Sequence, residues 1–207
     1  PDRTSYALTV PMTQASVTVS ATAADPWAAV AFTPTQPIAP AVGANPVTVT
    51  VTAEDGTPKE YTVVIHRTND VLSPHIGWLK HVPAGTFQRD ATATNLSVVS
   101  AFRMSQFEIT RAQWVDVTGW MDPSNGLYSS GTNDPVQQVS WYDAIAFCNK
   151  LSQLEGLTPV YSVSGVDFTT LAFEDIPTSD NATWNAATAN WAANGYRLPT
   201  EMEWMWA

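Results

Sequence analysis

The chain has 207 residues, 44% of them hydrophobic, 11% aromatic and 14% charged, a composition that excludes disorder along its whole length. Its formal charge of -10, with nine Lys and Arg in total and no run of them, excludes a phosphate-backbone partner, so no nucleic acid is expected. No stretch approaches the roughly 20 consecutive apolar residues that a membrane span needs.

Eight of the nine Trp lie after residue 70, and this asymmetry predicts two domains. Cys148 is the only cysteine, so no intrachain disulfide is available. The sequence opens on Pro1 and ends at Trp204-Met205-Trp206-Ala207 inside what reads as a helix, so both ends read as cut. A removed signal or lipid-anchor segment upstream of residue 1 fits the first of them as well as an arbitrary boundary does.

From Tyr6 to Arg67 the pattern has period two. It runs through Ser16-Val17-Thr18-Val19-Ser20, Val47-Thr48-Val49-Thr50-Val51-Thr52 and Tyr61-Thr62-Val63-Val64-Ile65. Alternating β-branched apolar residues and Thr put one face in a core and one in water. Breakers at Asp25-Pro26, Pro34 to Pro37 and Gly43 to Pro46, with Glu54-Asp55-Gly56-Thr57 as a hairpin turn, predict a small antiparallel sandwich. Glu54 and Asp55 are too few oxygens for calcium and are read as a solvated turn. The phrase Ala53-Glu54-Asp55-Gly56-Thr57-Pro58-Lys59-Glu60-Tyr61-Thr62, with the strand order around it, resembles the bacterial cadherin-like (immunoglobulin-like) β-sandwich repeat. That resemblance implies a spacer on a secreted or surface-attached protein.

Between Thr68 and Leu79 the alternation is lost, and Ser73-Pro74 and Gly77 interrupt the chain. His66, His75 and His81 flank this joint on separate short segments, with no helical pairing and no ligand spacing, and are read as surface or interface histidines rather than a zinc site.

Beyond the joint, Thr110-Arg111-Ala112-Gln113 has the spacing of a capping box and predicts a helix ending near Gly119. A second helix is predicted from Ser140 to Gly156, with Ala144, Ile145, Phe147, Cys148, Leu151 and Leu154 at intervals of three and four. A third starts at the capping box Thr200-Glu201-Met202-Glu203. Short strands are expected at Thr86 to Gln88, Val98 to Met104, Val160 to Val163 and Tyr196 to Leu198. The Asn- and Thr-rich tract from Asp167 to Asn194 is the least regular part, and a loop of such length is either functional or poorly ordered. Sparse strands with a few helices make an irregular α+β domain.

Five ordered blocks resemble the formylglycine-generating-enzyme (sulfatase-modifying-factor) family: Val82-Pro83-Ala84-Gly85-Thr86-Phe87; Phe102-Arg103-Met104-Ser105 with Glu108-Ile109-Thr110; Pro135-Val136 with Val139-Ser140-Trp141-Tyr142-Asp143-Ala144; Phe147-Cys148-Asn149; and Gly195-Tyr196-Arg197-Leu198-Pro199-Thr200-Glu201 with Glu203-Trp204. After Phe87, Gln88-Arg89-Asp90-Ala91 departs from the family pattern. The resemblance implies an elaborated C-type-lectin fold, in a family that includes sulfatase-activating oxygenases, sulfoxide synthases and variable ligand-binding proteins. The expected architecture is an all-β cadherin-like sandwich at 1-70, a linker at 71-79, and an irregular α+β C-type-lectin-like domain of formylglycine-generating-enzyme type at 80-207, incomplete at its C-terminus.

Trp141, Asp143, Cys148, Arg197, Glu201, Glu203 and Trp204 are read first as markers of that fold, with Arg197 placed to pair with Glu201 or Glu203. No residue is assigned a catalytic role. The activating members of the family use two thiols and copper, and one Cys on the apolar stripe of a helix cannot supply two soft ligands. Copper is therefore expected only if sequence beyond Ala207 carries paired cysteines. The resemblance also leaves calcium open, through Asp167, Glu174, Asp175, Asp180, Asn181 and Asn185, although they show no ligand spacing and read as a solvated loop. The expected function is that of a secreted, periplasmic or surface-displayed protein that binds a protein or glycan ligand. The alternative is an oxygenase whose catalytic cysteines lie beyond this sequence, and a third reading is a structural relic without a ligand.

Overall fold

The computed structural model describes residues 3-207, and the chain divides into two units, Pro1–Leu72 with Leu79–His81 and Ser73–Trp78 with Val82–Ala207. In the first unit, strands β1 (Ser5–Val10), β2 (Ala29–Thr33), β3 (Gly43–Thr52) and β4 (Pro58–Arg67) form one sheet in the order β1-β4-β3-β2. The long hairpin of β3 and β4 pairs Val47 with Val63 and turns where the Asp55 carboxylate accepts the Thr57 amide at 2.9 Å. Gly56 supplies the positive φ of 84° in that turn. The inward alternation buries Val47, Val49 and Ile65, and Val47 and Ile65 meet Val10 and Ile38 in the core.

Two features of this unit differ from the sequence expectation. β1 pairs with β4 in parallel, Tyr6 opposite Val63 and Leu8 opposite Ile65, not antiparallel throughout. The two strands are separated by most of the unit, so no tight turn dictates their relative direction. The alternating run at Val17 makes only a bridge to Ile38, yet Val17 and Val19 still pack on the core, so the alternation reports a buried face without a ladder. β2 was not signalled, because Ala29 and Ala31 are poor strand formers. Beyond the core, a groove of about 760 Å³ is lined by Tyr6, Val51, Tyr61 and the small residues Ala21 and Ala23, which are too short to fill it.

The stretch read as a linker carries β5 (Val71–Ser73) and the start of β6 (Gly77–Val82). In the second unit, β7 (Gly85–Gln88) and β8 (Leu96–Val99) form a hairpin across the Arg89-Asp90 departure, where the Asp90 carboxylate takes the Thr92 amide at 2.8 Å and the Asn95 side chain at 2.8 Å. The run expected as one strand from Val98 to Met104 is two, β8 and β9 (Phe102–Ser105), with Ser100 and Ala101 between them. Helices α1 (Arg111–Thr118) and α2 (Trp141–Leu154) follow, both with complete capping boxes, at Thr110 with Gln113 and at Ser140 with Asp143. Gly119 closes α1 in the left-handed conformation.

The core of this unit forms where α2 meets the following loop. Tyr142, Ile145 and Ala146 pack with Val163, Phe168, Ile176 and Trp184. Trp114 of α1, only 2% exposed, stacks on Phe147 with ring centroids 5.5 Å apart. The tract 167-194 is thus neither solvated nor irregular throughout. It holds the short helix α3 (Ala182–Asn185) and the strand β11 (Thr188–Ala189), which pairs with β10 (Tyr161–Ser162) ahead of the tract, and its apolar anchors were hidden by irregular spacing. α4 (Glu201–Trp206) completes the chain.

Candidate binding surface

α2 carries the polar anchors as well as the apolar stripe. Buried Asn149 exchanges two hydrogen bonds with the backbone of Tyr161, donating to its carbonyl at 2.7 Å and accepting its amide at 3.0 Å. Buried Ser152 accepts the Tyr196 amide at 2.8 Å while donating to the Cys148 carbonyl at 2.7 Å. Two turns earlier, the Tyr142 hydroxyl donates to the Asn185 side chain and accepts the Asn181 amide. A buried polar side chain left without a partner costs about 1–3 kcal/mol, so these pairs fix the loop against the helix rather than merely tolerating it.

The segment Tyr196 to Leu198 was expected as a strand, and it forms no ladder. Amides here and just beyond are met by side chains instead: Tyr196 N by Ser152, Leu198 N by the Tyr161 hydroxyl at 3.0 Å, and Thr200 N by Glu203 at 2.8 Å. A β-partner is therefore unnecessary. The chain then turns into α4, as the capping box predicts. Gly195 is required there by space, since a Cβ would lie 2.3 Å from the Thr158 carbonyl oxygen and 2.6 Å from Ser152 Oγ.

Arg197 chooses Glu203 over Glu201. Its Nη1 and Nη2 donate to the two carboxylate oxygens at 2.6 and 2.5 Å, a bidentate pair, while Glu201 stays exposed. The guanidinium and the Thr200 amide hold the Glu203 carboxyl down to about 2, against the pull of partial burial. The face of Arg197 lies 5.1 Å from the ring centroid of Trp191, which is largely exposed. Together with Val98, Val99, Ser100, Thr200 and Met202 these residues line a shallow depression of about 410 Å³. Trp206 is half-buried: it stacks on Phe87 at 5.5 Å and its indole donates to the Pro83 carbonyl. Trp204 and Met205 remain exposed.

The other marker residues are dispersed. Asp143 caps α2 through Ser140, with its carboxylate 2.6 Å from the Ser140 amide, and Trp141 beside it is half exposed and meets Tyr142 edge-on. Cys148 is buried and free, and burial pushes its thiol up to about 12. One buried thiol supplies at most one of the two soft sulfur ligands expected of a copper site of this family, so this cysteine alone does not fit copper. Of the oxygens considered for calcium, Asp167 accepts from Thr169, Asp180 from the Asn185 side chain, and Asn181 from the amides of Thr183 and Trp184. Among the described residues no group of three or more His, Cys, Asp or Glu side chains gathers as metal ligands.

His75 pairs with Asp116 at 2.9 Å, a partner 41 residues away that spacing could not show. Sequence reasoning also missed the clamp in which Ser73 and Tyr196 both donate to the Glu155 carboxylate, at 2.5 and 2.6 Å. Burial and that carboxylate hold the Tyr196 phenol well above its ordinary range. Asn149 and Ser152 interrupting the apolar stripe of α2 were the available signal for the polar anchors.

Comparison with known proteins agrees with this architecture. Residues 78–207 match the sulfatase-modifying factor enzyme 1-like domain, and residues 1–68 match the cadherin-like beta sandwich domain. The chain is 41% identical over 109 residues to "Chaperone protein LppX" of Paenibacillus barcinonensis, covering 53% of this chain and 36% of that protein. It resembles the structure of Treponema denticola variable protein 1 with a TM-score of 0.57 and 35% identity, over 66% of this chain and 55% of that one. CarF is similar at a TM-score of 0.44 and 25% identity, over 60% of this chain and 53% of that one. The chain thus spans about a third of the curated relative and little more than half of the two solved structures. Among the described residues no helix is long and apolar enough to cross a membrane. With its five motif blocks placed on one lectin-type scaffold and the domain matched from residue 78 onward, the chain belongs to the sulfatase-modifying-factor family, preceded by a cadherin-like β-sandwich.

Proposed function

We propose that this chain belongs to a secreted or surface-displayed binding protein, in which the β-sandwich is a spacer and the sulfatase-modifying-factor-type head recognises a protein or glycan ligand. The observation that carries the reading is the fate of the family motifs. Every marker that the structure brings into contact serves the scaffold, Arg197 with Glu203 and Asp143 with Ser140, and the single thiol is sealed in the core. What the head offers to solvent is aromatic and apolar side chains on loops, including Trp191, Tyr128 and Leu127. Trp and Tyr give large contact area at low entropic cost, which suits recognition. Similarity to a protein described as a variable protein supports the same reading. Extracytoplasmic placement accords with a spacer-type module in front of the head.

The chain incubated with a sulfatase-type cysteine peptide, Cu(I) and oxygen is expected to leave the peptide unchanged by mass spectrometry. Conversion of the cysteine to an aldehyde would establish the oxygenase reading instead.

A further inference from the structure

The inner face of the β1-β4-β3-β2 sheet is filled at one end and open at the other. Val47 and Ile65 are fully buried, whereas Val51, Tyr61 and Val63 are only half-buried. The register nevertheless places them on the same face, Val63 opposite Val47 and Tyr61 opposite Val49, with Val51 two residues further along β3. Together with Tyr6 of β1 they floor the groove of about 760 Å³, and the segment from Val19 to Asp25 is its wall. That wall begins as a strand with one flank in use. The Val17 amide and carbonyl both bond to Ile38, at 2.9 Å each, and the Val19 amide bonds to the Gln36 side chain at 3.0 Å. Successive residues of a strand send their N–H and C=O groups to opposite flanks, so those of Thr18 and Ser20 are aimed away from Gln36 and Ile38. Among the described residues no hydrogen bond reaches the backbone of Thr18 or of Ser20 to Ala24. The groove touches neither Gln36 nor Ile38, which places it on this unpaired flank.

Floor and wall together narrow the occupant. An aliphatic small molecule would cover the floor and leave the N–H and C=O groups of the wall unpaired, while a polar solute would pair the wall and leave the floor wet. A polypeptide strand meets both demands, with backbone bonds to the wall and every second side chain on the floor. The wall from Thr18 to Ala24 is long enough for a strand of about five to six residues. The runs of this chain that would suit, Val47 to Thr52 and Tyr61 to Ile65, lie in the two central strands of the sheet, so a second copy does not offer them.

We infer that this groove takes an extended segment of a partner protein, with apolar side chains at alternate positions, as an added strand beside Thr18 to Ala24. Main-chain bonds to the wall supply affinity, and the shape of the floor under Val51, Tyr61 and Val63 selects the alternate side chains. The site lies wholly within the β-sandwich, so the module read as a spacer is itself a docking element, independent of what the head binds.

The test is to select phage-displayed random peptides on the immobilised chain and to measure the enriched sequences by fluorescence anisotropy. They are measured against the parent, against Ser20→Pro, which removes an amide that has no partner in the free protein, and against Ala21→Trp, which puts a large side chain into the groove. Enriched peptides should alternate apolar and polar residues over about six positions, and their affinity should fall about tenfold or more in both variants. A second measurement leaves the protein untouched: N-methylation at alternate residues of the peptide should abolish binding in one register and spare it in the other. Amide exchange at Ser20 and Thr22 should slow when the peptide is bound. Peptides that bind all three proteins alike, indifference to N-methylation in both registers, or no enrichment over a blank surface overturns the strand site. Dodecanoate bound in the groove, displaced by Ala21→Trp but not by Ser20→Pro and with no peptide bound, assigns a small apolar ligand and overturns the partner. A longer natural chain that fails to bind peptides held by residues 1-207 shows that the protein supplies the strand itself, and overturns the partner likewise.

Discussion

Arg197 and Glu203 illustrate how a pair of motif residues acts on its own fold. The bidentate contact is partly buried, with side-chain exposures of 26% and 12%, so it is screened less than a surface ion pair. Because the folded carboxyl sits near 2 against an ordinary value of 4.5, its contribution is complete above about pH 4.5 and is lost as the pH falls toward 2. Allowing for its residual exposure to solvent, the contribution is about 1–3 kcal/mol. Thermal unfolding of the parent chain should lose stability through that window, and Glu203→Gln should be less stable at neutral pH with a flatter acid profile. An unchanged slope in the variant would show that the pair is not coupled to folding.

The elements were unevenly legible. Three of the four helix starts, those of α1, α2 and α4, were written in the sequence, because a cap is a local contract between residues three apart, as at Thr110 with Gln113 and Thr200 with Glu203. What failed was whatever depends on distant partners. The parallel pairing of β1 with β4, the ladder-free run at Gly195 to Thr200, and the folded tract 167-194 are fixed by contacts many residues away, such as Tyr142 with Asn185 across 43 positions. The choice of Glu203 over Glu201 was open for the same reason, since both spacings reach from Arg197 and only the cap orients one of them inward. Two motif glycines gain their meaning at this scale. A Cβ on Gly85 would lie 2.1 Å from the Trp206 ring of α4, and one on Gly195 would strike a backbone carbonyl and Ser152 of α2. Gly195→Ala should therefore cost about 1–3 kcal/mol by urea unfolding. Gly85→Ala should cost less if the Trp206 ring can swing aside, and it should blue- or red-shift the tryptophan emission. Equal stability of parent and Gly195→Ala would mean that the close approach is not real.

At the scale of the whole molecule, the family resemblance and the chemistry of this chain point in different directions. The scaffold matches a family that includes oxygenases, while the residues that match it build corners, caps and core. Cys148 lies on α2, the helix on which both the aromatic core and the polar anchors converge, so exposing it requires opening the head rather than moving a lid. The direct measurement is the rate at which a thiol reagent labels Cys148 in the native chain, compared with the rate in denaturant. Labelling that is negligible in the native state and rises only with unfolding is the predicted result. Fast labelling under native conditions, at the rate of an exposed cysteine, would contradict the claim that Cys148 is a sealed structural thiol of the head.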